Sequence, residues 1–300
     1  MKKLNFAFIA AIMLSIVFTA CNKDEQQTGM VKLSITDAPI DTDGITGVYV
    51  TFTEIQYHKS GDSWSSFSDF EGPRTINLLD LTRGETDLLG TLELEAGTYT
   101  QLRFMLDAPE RGQGAAANPG CYLEFEDGST QPLFVPSGAQ SGYKGVGTFT
   151  VPANGVVEVT ADFDVRKSVV KAGASGKYIL KPTIRLIVDN QSGAIDGYVS
   201  PMPQDAQIVI YAYENGTYQE GEAAEPAEEQ IRFPNAVSSD LADADGYYHI
   251  AFLTPMQYDL VVAVNVNDEF SEVLGIVEGV DVQSNMTITV DIDLDAFSAE

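Results

Sequence analysis

Three groups of side chains combine residue types and spacings that can do chemistry. Cys21 stands at the end of an apolar run, where its thiol is placed to form a thioether. Asp37, Asp41 and Asp43 crowd a turn at Gly44, and Asp240, Asp243 and Asp245 crowd another at Gly246. Oxygen-rich loops of this kind can supply part of the roughly six to eight ligands that calcium takes. Trp64, the single tryptophan, follows Tyr57 and precedes Phe67 and Phe70, beside Gly61-Asp62-Ser63. Aromatic rings on such a loop offer apolar faces to sugar rings. Each group also has a plainer role. Asp favours turns through local hydrogen bonds, and neither acidic loop has an Asp-x-Asp-x-Asp-Gly run followed by a bidentate Glu. The tryptophan can equally cap a core.

Other catalytic chemistries find little support, and no catalytic residue is assigned. His58 and His249 are the only histidines and fall in different expected domains, which argues against a histidine metal site or triad. There is no Gly-x-Ser-x-Gly elbow, no Gly-x-Gly-x-x-Gly opening a βαβ unit and no phosphate loop. Gly142 to Gly147 reads as a mobile hairpin tip. A non-enzymatic protein is expected, with a carboxylate-only hydrolase left open because it leaves no short motif. With 17 Lys+Arg against 44 Asp+Glu and a formal charge of −27, the chain repels phosphate backbones, which excludes nucleic acid as a partner. Arg103, Arg166 and Arg185 lie on strand-like segments, and each is expected to meet a carboxylate from among Asp37, Asp162 and Asp164. Cys121 opens the strand-like run to Phe125 and is expected to be a buried, inert thiol without a disulfide.

The front end has the layout of a secretory signal. Met1-Lys2-Lys3 is a short positive segment, Leu4 to Thr19 is mostly apolar, and Ala20 is small. Phe18-Thr19-Ala20-Cys21 resembles the lipobox of bacterial lipoproteins, with Phe18 in place of the usual Leu. The resemblance implies cleavage after residue 20 and lipid on Cys21, so the partner of the front end is a membrane, joined through acyl chains. Asn22-Lys23-Asp24-Glu25 is similar to the surface-export signal of Bacteroidota lipoproteins. On that resemblance Lys23, Asp24 and Glu25 direct the body to the cell surface rather than the periplasm; otherwise they form an ordinary polar tether. Residues 1–20 are therefore expected to be a signal peptide and 21–29 a lipidated tether at the outer membrane.

The elements that must carry these residues are strands. Val31, Leu33 and Ile35 alternate with polar residues, as do Val48, Val50 and Phe52, and Val157, Val159, Ala161, Phe163 and Val165. Turn clusters such as Asp127-Gly128 and Pro152-Ala153-Asn154-Gly155 separate the runs. Ile179 to Val188 reads as one last strand with Pro182 at an edge or bulge. The expected fold class is all-β, two β-sandwich domains over 30–190 and 191–300. Acidic Glu220 to Glu229 reads as a mobile loop in the second.

Two resemblances follow these runs. Val31 to Pro39 with Val48 to Phe52, and Asp162 to Val170 with Tyr178 to Arg185, look like the opening and close of the lipoprotein domain of unknown function numbered four-three-eight-two. It implies a β-rich envelope domain and no activity. Gly193-x-Ile195-x-Gly197-x-Val199, Ala206 to Tyr211, Asp245-Gly246-Tyr247-Tyr248 and Tyr258-Asp259-Leu260 are similar to carboxypeptidase-regulatory-like, transthyretin-type sandwiches, which imply a bracing or presenting role. The expected function is an outer-membrane lipoprotein acting as a non-enzymatic binding or structural module. Glycan binding within a polysaccharide-uptake system, or a fimbrial or adhesin-type subunit, stand as alternatives. The protein or glycan partner is not specified by any motif.

Overall fold

The computed structural model describes residues 27–37, 44–59, 63–107, 120–135, 141–172, 176–228, 230–267 and 269–299. Within them the first thirteen strands are β1 (Thr28–Thr36), β2 (Ile45–Lys59), β3 (Ser65–Ser66), β4 (Arg74–Asn77), β5 (Asp87–Glu95), β6 (Gly97–Leu106), β7 (Tyr122–Phe125), β8 (Thr130–Phe134), β9 (Tyr143–Val151), β10 (Val156–Phe163), β11 (Val169–Ala172), β12 (Lys177–Leu180) and β13 (Ile184–Val188). They form one hydrogen-bonded ladder in the order β11-β12-β8-β7-β2-β6-β9-β13-β10-β1-β5, with β3 and β4 attached to β2.

The ladder folds around a single core because long strands pair twice. Ile45 to Tyr49 of β2 pair with β7, while Phe52 to Lys59 pair with β6. The apolar face of β1, namely Val31, Leu33 and Ile35, is buried, as its alternation requires. Phe52 meets Phe104 and Phe163 edge-on at ring separations of 6.0 and 6.2 Å. β1 runs parallel to β10 and antiparallel to β5, with Met30 opposite Val156 and Thr36 opposite Asp162.

Three local expectations are corrected. The run from Ile179 to Val188 is two strands, not one: β12 pairs with β8 and β11, whereas β13 pairs with β9 and β10. Pro182 lies in the break, where its missing N–H and fixed φ suit a change of partner. The alternation through Val165 ends at Phe163, because Asp164 turns the chain into the one-turn helix α1 (Val165–Ser168) and accepts the Lys167 N–H at 3.0 Å. Gly142 to Gly147 is not a hairpin tip but the approach to and start of β9. A Cβ on Gly147, whose φ is +150°, would lie 2.4 Å from the Leu186 carbonyl oxygen, so glycine there lets β9 and β13 close on each other.

Beyond residue 192 come β14 (Gly193–Ser200), β15 (Ala206–Glu214), β16 (Ser238–Leu241), β17 (Tyr247–Leu253), β18 (Gln257–Val266), β19 (Glu269–Asp281), β20 (Thr287–Thr289) and β21 (Ile292–Asp293). One sheet has the order β17-β14-β20 with β21 also on β14; the other has β16-β15-β18-β19. Ile195, Val199, Tyr248 and Leu253 face Ile208, Ile210, Leu260 and Val262 between them. The molecule is thus all-β, built from sandwiches.

In the acidic excursion after β15, Glu220 to Glu228 keep to the surface with no residue buried, and a packed anchor follows them. Phe233 is fully buried on Tyr211, with ring centroids 4.3 Å apart, and packs with Ala236, Tyr213 and Val261 over the outer face of β15 and β18. Glu222 accepts the Tyr213 hydroxyl at 2.9 Å and the Asn235 side-chain amide at 3.0 Å. One phenylalanine and its tyrosine bed hold the chain down just beyond the acidic stretch. Burying such a ring is favourable by about 3 kcal/mol.

Candidate functional site

The charged residues that lie deepest sit where the two sandwiches meet. On one side α1 projects Arg166, 2% exposed, into the C-terminal sandwich. Its guanidinium donates to the carbonyls of Phe233 at 2.8 Å, Arg232 at 3.2 Å and Ala236 at 3.4 Å. It lies 5.5 Å above the Tyr211 ring. Lys167 adds a 2.6 Å bond to the Ala236 carbonyl and a 3.4 Å ion pair with Asp164. Burial lowers the Lys167 pKa. No carboxylate pairs with Arg166 among the described residues.

On the other side Arg83, at φ +59°, follows the short 3-10 helix Leu78–Leu81. It donates to the Leu241 carbonyl at 2.8 Å and meets Asp240 and Asp243 at 3.4 and 3.6 Å. Its own carbonyl meets His249 Nδ1 at 2.8 Å. Asp240 accepts the His249 and Leu241 N–H groups, yet burial pushes its carboxyl up to about 6. Behind these contacts Arg185 Nε donates to Asp162 at 3.0 Å, and Asp37 accepts the Val165 N–H at 2.9 Å. Burial pushes Asp162 up as well.

A cleft of about 670 Å³ opens along the Arg166 side. Val170, Lys171 and Tyr178 of β11 and β12 line it together with Arg166, Arg232 and Phe270. The Arg232 guanidinium lies 4.4 Å over the Phe270 ring and 2.7 Å from Glu225. Glu225 and Glu269 line it as well, so chemically this is a concave, half-apolar site in which cationic and anionic groups meet.

The residues singled out from sequence are distributed as follows. Cys21, Lys23, Asp24, Glu25, Asp41 and Asp43 lie outside the described residues. Asp37 serves the seam between the sandwiches. Asp243 accepts the Asp245 and Tyr247 N–H groups at 3.0 and 2.9 Å, which is turn formation. No group of three or more His, Cys, Asp or Glu able to hold a metal occurs among the described residues. Trp64 and Tyr57 are not brought to one surface. Tyr57 packs against the core beside Tyr99, at 5.9 Å. Trp64 lies on the outer face, with Arg103 stacked 3.9 Å from its ring centroid and His58 at 5.3 Å, so it does not cap the core and one ring face is occupied. Of the three arginines expected to meet carboxylates, Arg185 does; Arg166 takes carbonyls and Arg103 takes an indole. Cys121 is fully buried, and desolvation pushes its thiol up to about 12.

Sequence reasoning passed over Arg83, Lys171 and Arg232. Only two local signals pointed their way: the Arg83-Gly84 turn after an apolar Leu78 to Leu81, and the Arg232-Phe233-Pro234 anchor inside an otherwise acidic stretch.

No curated protein matches the chain. Solved structures with an alignable course include the TIE protein of Bacillus anthracis, at 10% identity and TM-score 0.21, covering 89% of this chain and 34% of that one. The minor pilin GBS52 of Streptococcus agalactiae aligns at 14% identity and TM-score 0.21, covering 87% and 94%. The major pilin subunit BcpA of Bacillus cereus aligns at 9% and TM-score 0.22, covering 89% and 70%. The chain thus spans about a third of the TIE protein chain it matches, where 34% is covered. Likeness at these scores carries nothing about partners. The sequence profile described as a domain of unknown function (DUF4382) matches residues 28–182, more than half of the chain and all of β1 to β12. The chain belongs to the DUF4382 family.

Proposed function

We propose that this protein is a lipid-anchored lipoprotein of the outer membrane, facing the cell surface, whose work is to hold a non-enzymatic binding module away from the bilayer. The observation that supports this reading is the polarity of β1. Its first residue, Thr28, lies beside Asn154 and Gly155, whereas its last residues lead to Asp37, which is bonded to Val165 next to Arg166. Nine residues of strand span about 30 Å. A chain tethered through Cys21 therefore carries the C-terminal sandwich and the cleft at the end of the N-terminal sandwich remote from the tether. The charged contacts of Arg83 and Arg166 make the two sandwiches a stiff pair rather than beads on a linker. The C-terminal sandwich, in this reading a carboxypeptidase-regulatory-like module, is the presented part.

The test is anchorage. Wild-type protein is expected in the membrane pellet and the detergent phase, and Cys21→Ser protein in the soluble fraction. Equal partitioning of the two would remove the lipid from the proposal. Protease shaving of intact cells separates surface from periplasm: cleavage only after permeabilisation would place the body inside.

A further inference from the structure

We propose that the outer face of β2, β6 and β9 binds a uronate-bearing saccharide, whose carboxylate seats between Arg103 and Lys144. The proposal rests on the reading of this protein as a binding module, and names the class of partner.

The first observation is a pair of cations without a counter-charge. Lys32, Lys59, Arg74 and Arg185 each meet a carboxylate. Arg103 and Lys144 stand opposite each other in the β6–β9 register, and among the described residues neither side chain makes a hydrogen bond or an ion pair. Like charges at opposed positions of an antiparallel pair are destabilising. A chain with 44 Asp+Glu does not require them for solubility. Glu54, which the β2–β6 register places diagonal to Arg103, is already held by Ser66 and Gln56. Counting Glu54 against the two cations still leaves this part of the face positive. An anion seated between Arg103 and Lys144 relieves their repulsion.

The second observation is how Arg103 is held. Its guanidinium stacks 3.9 Å from the Trp64 ring centroid, and His58 packs on the same indole at 5.3 Å. Stacking fixes the plane of the guanidinium, whose forked N–H groups match the two oxygens of a carboxylate. Its Nε is buried, which leaves the two terminal nitrogens to meet the ligand.

The third observation is the setting. β6 pairs with β2 and β9, and β9 pairs with β6 and β13, so the backbone groups here are spent within the ladder. A peptide strand finds no edge to join. Recognition falls to side chains: Arg103 and Lys144 for an anion, the neighbouring Gln101 amide for hydroxyls, and Val146, 73% exposed, for an apolar ring face. A uronic acid carries all three partners in one residue: a carboxylate, hydroxyls and a C–H face. Exposed charges are screened beyond about 8 Å at physiological salt, so for a short ligand the local pair outweighs the net charge of −27.

The experiment uses the full chain. Trp64 is the single tryptophan, so its fluorescence reports on ligand bound at Arg103. Trigalacturonate is expected to change that fluorescence saturably, and more weakly as salt is raised, while neutral galactotriose leaves it unchanged. Lys144→Glu sets an acid opposite Arg103. It is expected to weaken trigalacturonate at least tenfold while raising Tm, because the new carboxylate takes the place of the ligand. Lys144→Gln removes one cation without adding an acid, and should weaken binding by less, with Tm no lower than wild type. Equal binding by wild-type and Lys144→Glu protein would overturn the site, and a lowered Tm in both variants would overturn the repulsion on which it rests. Hexaglutamate bound as tightly as trigalacturonate would assign the face to an acidic peptide, and inorganic phosphate bound as tightly would reduce it to a bare anion site; either overturns the saccharide. No saturable change with trigalacturonate overturns the proposal outright. None of these outcomes depends on Cys21, so the anchorage and the saccharide face fail separately.

Discussion

The two sides of the seam solve one problem in different ways. Both place an arginine of the N-terminal sandwich against the C-terminal one. Arg166 is 2% exposed and held by backbone carbonyls, with no carboxylate among the described residues. The Arg83 side chain is 35% exposed and faces two carboxylates, Asp240 and Asp243. Exposure sets the value of each arrangement. In the buried case a desolvated cation depends on the Arg232, Phe233 and Ala236 carbonyls, of which Phe233 also accepts the Ala236 N–H and Ala236 the Lys167 ammonium. In the half-exposed case water competes for the guanidinium, and the ion pairs contribute modestly. The seam is therefore expected to be rigid at Arg166 and yielding at Arg83.

Replacing Arg166 by methionine tests the strong side. The substitution fills similar volume but removes the Arg232 carbonyl's guanidinium donor and leaves the Phe233 carbonyl with the Ala236 N–H alone. A loss of about 3 kcal/mol is expected in chemical denaturation. It should also loosen the excursion that carries Phe233, read as faster amide exchange at Phe233 and Ala236. A stability unchanged from wild type would mean that the carbonyl cage contributes nothing net.

The same replacement at Arg83 should cost about 1 kcal/mol, because the pairs it breaks are partly solvated. If Arg83→Met proved as damaging as Arg166→Met, burial would not be what distinguishes the two sides.

How much of this could be read from the chain follows from the same contrast. Alternation in Val31-Leu33-Ile35 and Val48-Val50-Phe52 records which face is buried, and those strands lie where the pattern puts them. The all-β class was legible for that reason. Partner choice was not: Ile179 to Val188 keeps an apolar rhythm across Pro182 although its two halves pair on different stretches of the ladder, since period two carries no information about neighbours. The seam was legible only in part. Arg185 beside Asp162 follows from two strands in register. Arg166 was misplaced because Asp164 ends the strand by capping a helical turn, and a backbone carbonyl cage leaves no side-chain signature. Lys171 and Arg232 belong to one cleft only because segments some sixty residues apart in sequence meet there. Charge composition likewise gave no sign of Phe233, which packs just beyond the exposed acidic stretch.

The smallest effect is a slope rather than a loss. Asp240 is raised to about 6 in the folded protein by burial, against the lower value of an unfolded carboxyl. The folded state then holds a proton between roughly pH 4 and pH 6 that the unfolded state has released, so stability from this group is present below that window and declines as pH rises through it. Asp240→Asn removes the titration. The difference in stability between wild type and variant should therefore shift against the wild type as pH is raised from 4 to 6.5, followed as Tm of the two proteins in matched buffers. Because burial is the leading cause at Asp240, the slope is expected to persist, and to steepen, in the Arg83→Met background: without the guanidinium the buried carboxyl is raised further. A slope that vanished there would mean that Asp240 stays buried only while Arg83 covers it, and a slope left unchanged would mean that the guanidinium does not act on the carboxyl.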